Sequence, residues 1–350
     1  MNSGAKETAR FPEENWEVAP AREVGFEESK LAAVGRRLAE EAGGEGRYRV
    51  CVVRGGCIAV EWQAGVAPEA RIGIASAQKS VYSCLLGIAI AEGKIPSAEA
   101  PVSDYYPEML DVPEGAGPKA GRSNRPEDAQ ITFRHLITNT SGYLKPDERP
   151  GEFFHYQTWG MNILMHAVGK VYGVYNSSDP EGAIGPGELI REKIRNRIGG
   201  TWTWEWGNFG LSAEARIGIF GYHTSLQMTA RDACRLGWLW RNLGRWKGSQ
   251  VVPEEWLQEA TVSARAARRD SPTSIPGVGM YGHGFWTNDQ GKLWPELPRD
   301  SFAAAGAGSQ LIWVSPSLDL VIAQSPGLPT QHAHLDGRVV QWIAGCLKSR

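Results

Sequence analysis

Strand-forming runs gather at the two ends of this 350-residue chain, and that placement limits the fold more than any single motif does. Residues 48–54 and 57–63 are β-rich and meet at Gly55-Gly56, the pattern of a hairpin. Strand signals then return late, at 282–287, 301–305, 310–315 and 318–325. Between them, from residue 76 to about 262, the pattern reads helical with long Gly- and Pro-rich connections. Helices are expected near each end, at 31–42, stopped by Gly43-Gly44, and at 335–347; a third, at 231–243, follows Thr229 as its cap. Two early and four late strands imply one antiparallel sheet built from both chain ends and flanked by the terminal helices. The expected class is α+β: a polar tail at 1–20, a sheet domain from 21–68 plus 265–350, and a mainly helical domain, 69–264, inserted between them. Ligand sites favour such seams.

With 42% hydrophobic residues, the chain can bury a core large enough for two subdomains. Lysine plus arginine (37) nearly balance aspartate plus glutamate (39), so there is no basic stripe for nucleic acid and no acidic tail for a basic partner. Cys51, Cys57, Cys84, Cys234 and Cys346 are scattered, odd in number and without C-x-x-C spacing; they read as reduced, mostly buried thiols. The amino terminus shows no secretory leader, and the longest apolar run, around 85–91, is too short to cross a bilayer. A cytoplasmic protein with no membrane role is expected.

The helical region opens on Ser76-Ala77-Gln78-Lys79, followed by an apolar run to Ile90. One helical turn separates the two polar side chains, so the lysine can reach the serine. An unassisted serine hydroxyl is a poor nucleophile, and a lysine left neutral by its surroundings can take its proton. The spacing alone is common: Ser3 and Lys6 repeat it in a polar stretch with no apolar helix behind it. A serine at a helix start is also a favoured N-cap. Context must decide between nucleophile and cap.

Residues 131–143, I-T-F-R-H-L-I-T-N-T-S-G-Y, read alone as a capped helix and a turn, with His135 structural. Together with S-A-Q-K at 76–79, they resemble the β-lactamase-related serine hydrolases: class C β-lactamases, DD-peptidases, esterases of the same fold and 6-aminohexanoate-dimer hydrolases. The resemblance runs from about residue 25 onward and looks closest to the esterase and 6-aminohexanoate-dimer hydrolase branch. It implies Ser76 as nucleophile and Lys79 as base. In P-G-E-F-F-H-Y-Q-T-W-G-M-N (150–162), it places Tyr156 opposite the serine, where a phenol can relay a proton to the leaving group. Thr158 stands where class C enzymes carry asparagine, which puts amide recognition there in doubt.

The resemblance also implies an inner strand carrying Lys-Thr-Gly or His-x-Gly, and the match in A-A-G-A-G-S-Q-L-I-W-V (304–314) falls on Gly306-Ala307-Gly308. Glycine lets a substrate approach the backbone closely. The N–H of Ser309 would join that of Ser76 as an oxyanion hole. No cation stands at the lysine or histidine position, and a β-lactam or cell-wall peptide carries a carboxylate for that cation to bind. An ester or simple amide is the substrate this departure implies.

Thr201-Trp202-Thr203-Trp204-Glu205-Trp206 alternates, which would set three indoles on one face of an extended segment as core packing. Trp159 and Trp286 read the same way, as core packing first, and are kept as candidates for the substrate wall. Arg231 and Asp232 read as a helix-start ion pair. Gly277 to Gly282 fits G-x-G-x-x-G but follows a proline and leads into a strand, so it reads as a loop. His332 and His334 make too thin a set for a metal, and neither metal nor cofactor is expected. The expected function is a serine hydrolase cleaving a small ester or simple amide through an acyl-enzyme. An oligoamide or β-lactam substrate is the competing enzyme reading, and a catalytically inactive binding protein is the alternative of another class.

Overall fold

The computed structural model describes residues 9–44, 46–119, 121–209, 217–329 and 335–348. Helix α1 (Glu28–Ala42) leads into the hairpin β1 (Tyr48–Arg54) and β2 (Cys57–Ala64). The chain then passes through β3 (Ile72–Gly73), α2 (Gln78–Ala91), α3 (Trp159–Val171), β4 (Thr203–Asn208), β5 (Tyr222–Met228) and α4 (Ala230–Arg241). It returns as β6 (Trp286–Thr287), β7 (Phe302–Gly306), β8 (Gln310–Ser315) and β9 (Leu320–Gln324), and closes on α5 (Arg338–Ala344).

The main sheet is antiparallel throughout, in the order β6-β7-β8-β9-β1-β2. The two chain ends meet where β9 pairs with β1, with Ile322 opposite Val52. This is the expected α+β sheet. Leu31, Val34 and Leu38 of α1 and Val339, Val340 and Ile343 of α5 cover one face, over Val50, Val52, Trp313 and Ile322. On the other face, Cys51, Val53, Ile312 and Val321 join the core that contains α2 and α4. Coverage on both sides explains why β8 and β9 are apolar at nearly every position.

Three expectations are corrected. Helix α4 does not stand apart with the helical insertion but lies on the sheet: a Cβ on Gly237 would meet Val321 Cγ1 at 2.4 Å, so the glycine lets the helix sit close. Second, the region read as helical contains the antiparallel pair β4–β5, with Trp204 opposite Leu226. In β5, residues 222, 224, 226 and 228 are buried while 223, 225 and 227 are less so, a two-residue period that outweighs helix propensity. Trp202 is buried and Trp206 packs among His166, Tyr175 and Tyr222, so these indoles are core packing. Third, residues 9–20 are no free tail: Trp16 is buried with its Nε1 donating to Arg231 O at 3.2 Å, and Arg235 donates to the carbonyls of Glu13 and Glu14. Val18 bridges to Ile58, which shields the outer edge of β2.

Thr229 caps α4, its hydroxyl accepting from Asp232 N at 3.0 Å. The expected Arg231–Asp232 pair is replaced by Arg231–Glu61 and by hydrogen bonds from Thr201 to Asp232. All five cysteines are buried and unbridged. Among the described residues, no helix is long and apolar enough to cross a membrane.

Candidate active site

Residues Ala75–Ala77 form a single 3₁₀ turn that runs directly into α2. Ala75 has φ +48°, a left-handed conformation that costs a residue with a Cβ on the order of 1–3 kcal/mol. Ser76 is not an N-cap: the capping position of α2 is Ala77, and no side chain caps there. Its hydroxyl instead accepts a hydrogen bond from Lys79 Nζ at 2.9 Å. Lys79 is only 4% exposed, and Nζ also donates to Tyr156 Oη at 3.1 Å while lying 4.4 Å from that ring's centroid. Three expected residues, two of them far apart in sequence, thus meet at one nitrogen.

The Ser76 turn is gripped from both sides. Ile74 N donates to Leu226 O at 3.0 Å, Leu226 N to Gln78 Oε1 at 3.2 Å, and Tyr82 Oη to Thr224 O at 2.7 Å, which fixes α2 on β5. From the sheet, Gly306 presses against the turn: a Cβ there would lie 2.4 Å from Ile74 O and 2.9 Å from Ser76 N. Gly284, at φ +79°, packs against Lys79 O and accepts from Ser80 Oγ at 2.6 Å.

Tyr156 is held by the 131–143 motif. Asn139, buried and at φ +56°, accepts from His155 N through its carbonyl (2.8 Å) and from Gln157 N through Oδ1 (3.1 Å), one residue to each side of Tyr156. Tyr156 N itself donates to Ser274 Oγ at 2.8 Å. His135 is structural, completing with Thr132 the capping box of a short helix. Tyr281 meets the Tyr156 ring edge-on at 5.9 Å; burial and the neighbouring Tyr156 push its phenol well above the ordinary value, so it stays protonated. Trp286, expected on the substrate wall, is 1% exposed and stacks on the Tyr156 ring at 5.6 Å, so it supports the tyrosine rather than facing a substrate.

A cavity of about 190 Å³ opens beside Ser76 and Lys79, lined further by Gln78, Tyr82, Thr158, Met161, Asn162, Phe209, His223 and Ser225. Thr158 lies where expected. Trp159 stands behind the wall, edge-on to Phe209 at 5.2 Å and to Phe220 at 5.6 Å. Phe209 is 43% exposed yet fixed, stacked on His223 at 4.1 Å. Burial holds the His223 imidazole below its ordinary value, against a hydrogen bond to the Gly221 backbone. Lys79 is the one lysine, arginine, aspartate or glutamate among the described residues lining this cavity. A cavity of about 250 Å³ under the 146–152 loop contains none of the expected catalytic groups.

Gly306 ends β7, and Ala307, Gly308 and Ser309 turn the chain into β8. Ser309 sits in that turn at φ +54°, its carbonyl accepting from Gly327 N, three residues past the glycine that touches Ser76. Ala304 and Ala305 precede Gly306, so no cation stands on this stretch of the strand. Phe209, His223, Ser225, Met161 and Asn162 escaped the sequence reading; the alternation in 222–228 was the available signal for His223 and Ser225. Among the described residues, no His, Cys, Asp and Glu cluster could hold a metal ion; His332 and His334 lie outside them.

Comparison with known proteins shows the family and the fold. The chain is 24% identical over 324 residues to the 6-aminohexanoate-dimer hydrolase of Paenarthrobacter ureafaciens, covering 81% of this chain and 74% of that protein. Its fold is that of a family VIII carboxylesterase, with TM-score 0.66, 17% identity and coverage of 95% and 99% of the two chains. It is likewise similar to a penicillin-binding protein homolog from Caulobacter crescentus, with TM-score 0.65, 17% identity and coverage of 89% and 96%. The model of one family, Beta-lactamase, matches residues 36–324, a span that takes in the Ser76 turn, the Tyr156 segment and the Gly306 strand alike. With most of its length and all three of those segments inside the match, this chain belongs to the Beta-lactamase family of hydrolases.

Proposed function

We propose that this protein is a serine hydrolase that cleaves a small, uncharged ester or simple amide through an acyl-enzyme on Ser76. The observation that carries the reading is the position of Lys79 Nζ, in hydrogen-bond contact with Ser76 Oγ and Tyr156 Oη at once. Ser76 Oγ attacks the substrate carbonyl as its proton passes to Lys79, and a tetrahedral adduct forms. Tyr156 gives its proton to the departing oxygen or nitrogen and regains one from Lys79; the acyl–leaving-group bond breaks. Water then repeats the sequence on the acyl-enzyme, releasing the acid and restoring Ser76.

The oxyanion of the adduct needs two N–H donors. Ser76 N–H is one. For the other, alternation along β7 favours Ala307 over the expected Ser309. Ser301 O accepts from Asn288 N across the β6 side, so residues 303 and 305 of β7 direct their peptide groups to that same edge, and the same alternation carried one residue past Gly306 would turn Ala307 that way. Ser309 lies two residues further round the same turn, at φ +54°, where the strand alternation no longer applies.

The substrate reading rests on the lining. A free carboxylate entering this cavity would meet no arginine, and by pairing with Lys79 it would hold that side chain in the protonated form, which cannot take the Ser76 proton. With room for about six water-sized groups, the cavity suits a short acyl chain. A p-nitrophenyl ester, a linear 6-aminohexanoate dimer and a chromogenic cephalosporin assayed on one preparation test this. The ester should exceed the cephalosporin in kcat/KM by at least about tenfold, and a cephalosporin preference would overturn the reading. The dimer tests the amidase variant, which the relative from Paenarthrobacter ureafaciens favours. Phe209→Ala should raise KM for a butyrate or hexanoate ester about tenfold, the worth of one aromatic contact face, and leave kcat within about threefold. An unchanged KM would place the acyl group elsewhere.

A further inference from the structure

We infer that Glu148 is a positioning residue for Tyr156: it locks together the two loops between which the tyrosine segment is held. The inference rests on Tyr156 acting as the proton relay. The Glu148 side chain is 10% exposed and lies outside the substrate cavity. Its Oε1 accepts two short hydrogen bonds, from His155 Nδ1 at 2.6 Å and from Ser271 Oγ at 2.6 Å. His155, 8% exposed, immediately precedes Tyr156. Ser271 belongs to the facing loop, where its N–H donates to Phe154 O at 2.8 Å and where Ser274 Oγ receives Tyr156 N. One carboxylate oxygen therefore joins the tyrosine's own segment to the loop that holds the tyrosine's backbone.

The backbone of Glu148 is fixed independently. Gly142 has φ +62°, and a Cβ on it would lie 2.4 Å from Glu148 O, so only glycine lets the 145–152 loop close this far onto the 138–143 segment. Burial raises the Glu148 carboxyl, but the hydrogen bonds from His155 and Ser271, with Lys145 nearby, outweigh it and bring it below the usual range. The group is thus a carboxylate at neutral pH, the form that accepts both hydrogen bonds.

The consequence concerns proton delivery, which matters in proportion to how poor the leaving group is. A p-nitrophenolate departs without help, whereas an alkoxide needs the proton that Tyr156 carries. Two esters with the same acyl group, one aryl and one alkyl, are to be compared by kcat/KM on wild type, Tyr156→Phe, Glu148→Ala, Glu148→Gln and Ser271→Ala. Tyr156→Phe should lose about a hundredfold or more on the alkyl ester and far less on the aryl ester. Glu148→Ala should show the same selectivity at smaller size, about ten- to a hundredfold on the alkyl ester and within about threefold on the aryl ester. Glu148→Gln keeps an oxygen acceptor and should recover most of the loss. Ser271→Ala, which removes one donor and leaves the core filled, should fall between, and it carries the test should Glu148→Ala not fold. Equal losses on both esters in the Glu148 and Ser271 variants, with selectivity intact in Tyr156→Phe, would overturn the positioning role alone. Absence of selectivity in Tyr156→Phe would overturn the relay on which it stands.

Discussion

Ser76→Ala should lower ester turnover by about ten-thousandfold or more, the loss seen when a serine nucleophile is removed from an otherwise intact site, and should abolish labelling by a fluorophosphonate. The hydroxyl's hydrogen bond is with Lys79, so its removal leaves the Lys79–Tyr156 contact and the α2–β5 grip in place. The variant should accordingly fold with wild-type stability or slightly above it, since the proposed nucleophile, held beside an amine and next to Ala75 at φ +48°, would be placed for chemistry rather than stability. Intact-protein mass spectrometry after labelling reads the result directly. One added phosphonyl group on the wild type and none on the variant is the expected pair. A wild type that never labels would favour the reading of an inactive binding protein on this scaffold, and a variant that still labels would move the nucleophile elsewhere.

How much of this was legible follows from where each signal lives. The meeting of chain ends in one sheet was visible because β1, β8 and β9 are buried on both faces and so carry continuous apolar runs. The pairing of Ser76 with Lys79 follows from helical spacing, and Thr229 from cap chemistry. The β4–β5 pair was missed because the two-residue alternation of Tyr222–Met228, its one signal, lies within a stretch rich in helix signals. Its loss from the sequence reading removed His223 and Ser225, and with them one wall of the cavity.

The clamp on Tyr156 was illegible for a different reason. Asn139 accepts from the backbone N–H groups of His155 and Gln157, and main-chain groups carry no residue identity. The N-T-S-G-Y stretch could be recognised as a motif while its mechanical task could not. Trp286 was open to two readings from sequence, packing or a substrate wall, and its stacking on Tyr156 and its burial fit the packing one. Gly306 was read as a place where a substrate comes close to the backbone, whereas the neighbour that comes close is the Ser76 turn itself.

That neighbour gives Gly306→Ala its expected effect. A methyl group at this position would stand 2.4 Å from Ile74 O and 2.9 Å from both Ser76 N and Ala77 N, all of them backbone atoms that no rotamer change can move aside. Either β7 or the 74–77 turn must retreat by a sizeable fraction of an ångström. Overpacking of this kind costs about 1–3 kcal/mol, and thermal unfolding should register it. The catalytic cost should be larger. The turn carries the proposed nucleophile and one proposed oxyanion donor, the strand leads to the other, and misplacement by about 1 Å costs about a hundredfold. A fall in kcat of about a hundred- to a thousandfold is therefore expected, with KM little changed. Gly308→Ala is the control. It stands at positive φ, +74°, as Gly306 does not, and the nearest atom to its Cβ would be Gln310 Nε2 at 3.8 Å. Its cost should be conformational, about 1 kcal/mol of stability, with turnover within about threefold of wild type. If Gly306→Ala instead keeps wild-type turnover, the sheet does not set the position of Ser76, and the oxyanion hole must be sought away from β7.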